Sequence, residues 1–170
     1  MGNNIILIGM PGAGKSTLGV VLAKTLGYRF LDSDFLIQER EGALLCEIIE
    51  KKGLDTFLSI EEEVNAAIQA QETVIATGGS AVYGARAMEH LKEIGTVVYI
   101  RLPLHEIVSR VGDVKNRGIA LREGQSFWQL YEERCPLYEK YADIVIDADG
   151  LSIEKLVKMM GNRLKGMFLR

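Results

Sequence analysis

Gly9-Met10-Pro11-Gly12-Ala13-Gly14-Lys15-Ser16 follows directly on the apolar run Ile5-Ile6-Leu7-Ile8, and the residues after it read as a helix, Lys15–Leu26. The pattern G-x-x-x-x-G-K-S between a strand and a helix is a phosphate-binding loop. Small residues let successive backbone N–H groups point into one concavity, and a helix N-terminus adds a favourable dipole for an anion. Lys15 supplies a mobile cation for the terminal phosphates, and the Ser16 hydroxyl is a hard oxygen ligand suited to Mg²⁺. Gly12, Ala13, Gly14, Lys15, Ser16 and Thr17 are therefore the expected nucleotide-binding residues. The implied ligand is a nucleoside triphosphate, with ATP and Mg²⁺ expected.

From that junction the chain alternates. Strands are expected at Asn4–Ile8, Tyr28–Leu31, Thr73–Ala76, Thr96–Arg101 and Asp143–Ile146. Helices are expected at 15–26, 35–41, 44–51, 55–71, 86–92, 104–111, 126–141 and from about 152 to 165. Pro136 should kink or shorten the helix at 126–141, whose stripe of Phe127, Leu130, Tyr131 and Leu137 reads as core packing. Strands separated by helices imply right-handed crossovers and a parallel sheet, an α/β doubly wound fold. With no repeat or linker, 170 residues read as one domain.

Composition narrows the function. Hydrophobic residues make up 48 %, charged residues 25 %, and the net charge is −3, which gives no electrostatic footprint for nucleic acid. No apolar run reaches the roughly 18 residues that cross a bilayer, and a signal peptide before the loop is not expected. Cys46 and Cys135 lack metal or redox spacing and read as free thiols. A cytoplasmic monomer acting on a small molecule, with no nucleic-acid or membrane partner, is the expectation.

In such sheets ligands sit outside the carboxyl ends of the strands. That end gathers the phosphate loop, Asp32 and Asp34, Gly78-Gly79-Ser80, and an irregular charged stretch near 112–124. Asp32 suits a Mg²⁺ role through water. Asp34, two residues on, points to the same side if the strand stays extended, and could accept a proton from an acceptor hydroxyl. Its other reading is an N-cap for the following helix. Gly78-Gly79 allows close approach of a ligand to the backbone. The charged stretch, with Arg110, Arg117, Arg122 and then Arg134 in and around it, reads as a lid that excludes water and brings cations to the transferred phosphate.

These segments together resemble the shikimate kinase family, small P-loop kinases related to nucleoside monophosphate kinases. The resemblance runs over about residues 3–165. It rests on Gly9–Thr17, Asp32-Ser33-Asp34, Gly53…Phe57…Glu61, Gly78-Gly79, Arg110, Arg117, and Arg134 with Pro136-Leu137-Tyr138. It implies a three-layer fold with a five-stranded parallel sheet and a lid. The implied reaction is transfer of the γ-phosphate of Mg-ATP to the 3-hydroxyl of shikimate, in aromatic amino acid biosynthesis. Carried over by position, Ser16 and Asp32 serve the metal, Asp34 binds the acceptor's hydroxyls, and Arg110 lies against adenine. Arg117 reaches the phosphates from the lid, and Arg134 grips the acceptor's carboxylate.

The chain departs from that pattern in its acceptor half. Leu54 stands where the family has Glu, Leu58 where it has an arginine that helps clamp the carboxylate, and Ser80 where it has a third glycine. The lid reads Arg117-Gly118-Ile119-Ala120-Leu121 where the family has Arg-Pro-Leu-Leu. Losing one charged hydrogen-bonding partner costs about 1.5–3 kcal/mol. Lys51 or Lys52 could supply a replacement cation, while Glu61 would face Leu58 and be poorly balanced. Two other readings follow: a kinase of the same fold for a different hydroxylated acid or polyol, and a nucleotide-binding module without catalysis.

Overall fold

A computed structural model describes residues 2–112 and 118–168, the side chains of 165–168 excepted. Five strands form one parallel sheet in the order β2-β3-β1-β4-β5: β1 (Asn4–Ile8), β2 (Arg29–Asp32), β3 (Thr73–Ala76), β4 (Gly95–Arg101) and β5 (Ile144–Asp147). The expected doubly wound α/β architecture is borne out. β1 is the central strand, with Ile6 in register with Ile75 on one side and Val97 on the other. Its Ile5, Ile6, Leu7 and Ile8 are fully buried, as a strand covered on both faces by helices requires. The chain reverses direction across the sheet at β1, so the phosphate loop opens at the switch point.

The helices are α1 (Lys15–Leu26), α2 (Ser33–Glu41), α3 (Leu45–Lys52), α4 (Leu54–Ala66), α5 (Ala85–Ile94), α6 (Leu104–Val111), α7 (Phe127–Tyr141) and α8 (Ile153–Phe168). The large core runs through the sheet and takes in Leu18 and Leu22 of α1, Leu130 and Tyr138 of α7, and Met160 and Leu164 of α8. A separate apolar cluster joins Ile37, Ile48, Phe57, Ile60, Val64 and Ala120. It welds α2, α3 and α4 into one unit beside the carboxyl ends of the strands.

Two expectations about α4 and α7 are corrected. α4 stops at Ala66 rather than continuing to residue 71, because the chain turns at Ala67, whose N–H bonds to Asn65 and Val64. The apolar pattern Ala66-Ala67-Ile68-Ala70 outlasts the helix because Ile68 and Ala70 still pack into the core from the connecting turn. α7 runs unbroken past Pro136 to Tyr141. Its start is fixed by a capping box between Ser126 and Gln129. Arg134 and Tyr138, on either side of the proline, are anchored in the interior by their own hydrogen bonds. Phe127, Leu130, Tyr131 and Leu137 pack against the core as expected.

At the opposite end of the sheet Asn4, 1 % exposed, ties three segments together. Its Nδ2 donates to the Ala70 and Ile94 carbonyls at 2.7 and 2.8 Å, and its Oδ1 accepts from Thr73 N at 3.1 Å. Asn4→Ala strands these buried groups and is expected to lower stability by about 2–4 kcal/mol, measured by urea unfolding. A loss below 0.5 kcal/mol, on the same approximate scale, would show that the asparagine is not a structural tie.

Candidate active site

Gly9 leaves β1 with φ 148°, and a β-carbon there would lie 2.7 Å from the Ile100 carbonyl oxygen of β4. The loop can therefore leave the sheet only with glycine at this position. It ends at Gly14, which caps α1 without any side-chain acceptor. The N–H groups of the first turn of α1 are thus left for an anion. Lys15 is buried, and its ammonium donates to the Gly9 and Met10 carbonyls at 2.8 and 2.9 Å. Burial lowers its pKa to about 8, against the opposing pull of Asp34 and Asp32.

The loop forms one wall of a cavity of about 430 Å³. The other walls bring in Asp34, Phe57, Glu61, Gly78, Gly79, Ser80, Arg110, Ala120 and Arg134. The expected nucleotide residues and the expected acceptor residues therefore share one space. Gly12, Gly14, Lys15, Ser16 and Thr17 line it directly, while Ala13 faces the core. Ser16 Oγ donates to Asp32 Oδ2 at 2.5 Å, so the two expected metal residues stand together. A hydroxyl and a carboxylate at the mouth of a phosphate loop fit a hard divalent cation such as Mg²⁺. Arg110 lines the cavity and also donates to Glu106 Oε2 at 3.3 Å. Arg117 lies outside the described residues.

The two aspartates do not share an extended strand. Asp32 ends β2 and is itself the N-cap of α2, its Oδ1 accepting from Asp34 N at 3.0 Å. Asp34 sits in the first helical turn, so the N-cap reading belongs to Asp32 instead. Freed from capping, Asp34 turns its carboxylate toward the cavity wall. Burial, and then the nearby Asp32, raise its pKa to about 6.

Gly78 and Gly79 line the cavity and are also pressed by the protein's own side chains. A β-carbon at Gly78 would collide with Glu61 Oε1 and come within 2.8 Å of Asp34 Oδ1. One at Gly79 would lie 2.7 Å from Pro11 Cδ and 3.1 Å from Arg134 Nη1. The bare backbone of 78–79 thus admits the protein's own charged groups, and it lines the cavity through what they leave open. Arg134 is 1 % exposed. Its Nε donates to Tyr83 Oη at 3.3 Å, its Nη2 donates to the Ala120 carbonyl at 2.7 Å, and its guanidinium lies 5.2 Å from the Tyr83 ring centre. Tyr138, in the same helix, donates to the Gly79 carbonyl at 2.6 Å.

The acceptor-side departures also read differently in three dimensions. Leu54 and Leu58 pack against the α2–α4 cluster, and Leu58 is not among the residues that line the cavity. Lys52 is ion-paired with Glu41 on the surface, away from the cavity. Ser80 lines the cavity, and its Oγ donates to Glu61 Oε2 at 2.5 Å.

Glu61 is the residue that the sequence undervalued. It is 2 % exposed, it lines the cavity, and its Oε1 is one of the buried oxygens that lack a hydrogen-bond partner among the described residues, as is Asp34 Oδ1. Burial raises its pKa to about 7, opposed by the Ser80 hydrogen bond and by Arg134 and Lys15, and reinforced by Asp34. Its spacing of one helical turn from Phe57 marks the buried face of α4, which is the signal that could have placed it here.

Comparison with known proteins agrees with this geometry. A family model of shikimate kinases matches residues 11–165. The shikimate kinase of Clostridium botulinum is 37 % identical over 158 residues, covering 92 % of this chain and 94 % of that protein. The structure is similar to a shikimate kinase from Acinetobacter baumannii in complex with shikimate, with a TM-score of 0.89, 34 % identity, and coverage of 100 % of this chain and 97 % of that one. It is also similar to the shikimate kinase of Aquifex aeolicus, with a TM-score of 0.81, 35 % identity and 98 % of both chains covered.

A buried carboxyl whose pKa is raised on folding supports stability when protonated. That support is complete below its unfolded value near 4.5 and is lost as the pH rises to about 7. Glu61→Gln removes this loss, so its stability relative to wild type is expected to be higher at pH 8 than at pH 5 by about 2 kcal/mol. Denaturant titrations at the two pH values check this, and an equal or reversed difference would contradict the buried carboxyl.

Proposed function

The chain belongs to the shikimate kinase family, and from that premise we propose that it transfers the γ-phosphate of Mg-ATP to the 3-hydroxyl of shikimate. The observation that carries this reading is the single cavity whose walls hold Lys15, Asp34 and Arg134 together. A donor phosphate held at the loop and an acceptor held at Asp34 would then meet without crossing solvent.

Phosphoryl transfer depends mainly on positioning and on stabilising charge. The first-turn amides of α1 and Lys15 hold the phosphates, with Gly12, Gly14 and Thr17 shaping the loop around them. Ser16, with Asp32 behind it, would hold Mg²⁺, which neutralises charge on the phosphate oxygens when bound. Asp34, with its pKa raised to about 6, is largely ionised at neutral pH yet basic enough to take the acceptor's proton. Arg134 receives the acceptor's carboxylate. Gly78, Gly79 and Ser80 complete the acceptor wall, and Arg110 lies beside the nucleotide. Arg117 is assigned to the transferred phosphate from the family resemblance alone. The reading includes a monomeric cytoplasmic enzyme of aromatic amino acid biosynthesis with no nucleic-acid or membrane partner. Among the described residues no helix is long and apolar enough to cross a membrane.

One observation favours a second reading, in which the acceptor is a different hydroxylated acid or polyol. The Arg134 fork is already engaged at Nε and Nη2, which leaves Nη1 as the guanidinium nitrogen without a hydrogen bond among the described residues. That is a weaker grip on a carboxylate than a free bidentate fork.

The test is ADP release with Mg-ATP and shikimate, set beside hydroxylated acids and uncharged polyols. Shikimate is expected to give the highest kcat/KM. A polyol that exceeds it would transfer the case to the second reading, and ATP binding without turnover of any acceptor would favour a non-catalytic module. Lys15→Ala is expected to lower kcat by about 10²–10³-fold while leaving the circular dichroism spectrum unchanged. Retained activity would contradict the role given to the loop.

A further inference from the structure

Ser80 and Glu61 form a closed pair inside the cavity wall. Both are buried, at 6 % and 2 % exposure, and the short Oγ–Oε2 hydrogen bond joins the segment after β3 to α4. The other carboxylate oxygen rests against Gly78 with no partner among the described residues. The charged groups around Glu61 come from three different helices: Lys15 of α1, Asp34 of α2 and Arg134 of α7. Arg134 is the cation that an anionic acceptor would meet. An ionised Glu61 therefore subtracts from the positive field that Arg134 offers, and a protonated Glu61 restores it. Whatever decides the charge of Glu61 decides how well the cavity receives an acid.

We propose that Ser80 is a positioning residue that sets the acceptor's charge selectivity through Glu61: its hydroxyl holds the carboxylate against Gly78 and favours the ionised form. Within the family reading, this makes the pair a determinant of acceptor choice, with neutral polyols tolerated and anionic acceptors bound better as Glu61 takes up a proton. The catalytic groups do not change. What changes is the net charge of the wall facing the acceptor.

A hydrogen bond donated to a carboxylate lowers its pKa, so removing the donor raises it. In Ser80→Ala the Glu61 titration is expected to move upward by about one pH unit. It is followed by the ¹³C shift of the Glu61 carboxyl, assigned through Glu61→Gln, with no acceptor present. In wild type the KM for shikimate is expected to rise between pH 6 and pH 8, and in Ser80→Ala that rise moves upward by the same interval. The pH profile of the KM of an uncharged polyol, which still carries the Asp34 titration, is expected to be the same in wild type and Ser80→Ala. Ser80→Gly, the second variant, is expected to shift in the same direction. An unmoved carboxyl titration would overturn the pairing, and a moved titration with an unmoved KM profile would overturn the link to selectivity. Absence of shikimate turnover by wild type would instead sink the proposed acceptor and leave the carboxyl titration to decide the pair.

Discussion

Two residues without side chains, Gly78 and Gly79, allow this cavity to exist. They follow β3, next to the central strand, and they are pressed by Glu61 and Asp34 on one side and by Pro11 and Arg134 on the other. Four segments distant in sequence thereby bring charged or rigid groups onto one stretch of backbone. A methyl group at either position would push a buried charge out of place, and buried charges have few alternative partners. The glycines set the spacing of the site, and the parallel sheet holds that spacing fixed.

The electrostatics follow from the same crowding. Lys15, Asp34, Glu61 and Arg134 share a poorly solvated space, where each alters the others. Burial lowers the Lys15 pKa and raises those of both carboxyls. Groups that are far from neutral pH in water are thereby brought close to it, as proton transfer and charge discrimination require. The α2–α4 unit, with its own apolar cluster, keeps Asp34 and Glu61 aligned against the sheet.

Much of this was legible in the sequence because it depends on local pattern. The phosphate loop, the apolar run of β1 and the alternation of strands and helices gave the sheet and its binding edge, and Asp34 and Arg134 were correctly brought to that edge. What periodicity could not convey was the partner of each side chain. The glycines at 78–79 read as room for a ligand; they do line the cavity, and the side chains of Glu61, Asp34, Pro11 and Arg134 press on them as well. Leu58 read as a pocket residue but belongs to an apolar cluster. Ser80 read only as a departure from a third glycine, and its partner, Glu61, was not visible. Pro136 read as a kink or an early end, yet α7 continues past it to Tyr141, with Arg134 and Tyr138 held on both sides. These partners come from long-range contacts that no local window contains.

In the proposed function, one cavity orients an acceptor between a cation and two carboxyls, with its hydroxyl turned to the phosphate loop. A crystal structure of the ternary complex with ADP and shikimate tests it most directly. The acceptor's carboxylate is expected at Arg134 and its 3-hydroxyl within hydrogen-bonding distance of Asp34. Shikimate bound in the reverse sense, or outside the cavity lined by Lys15, Asp34 and Arg134, would contradict it.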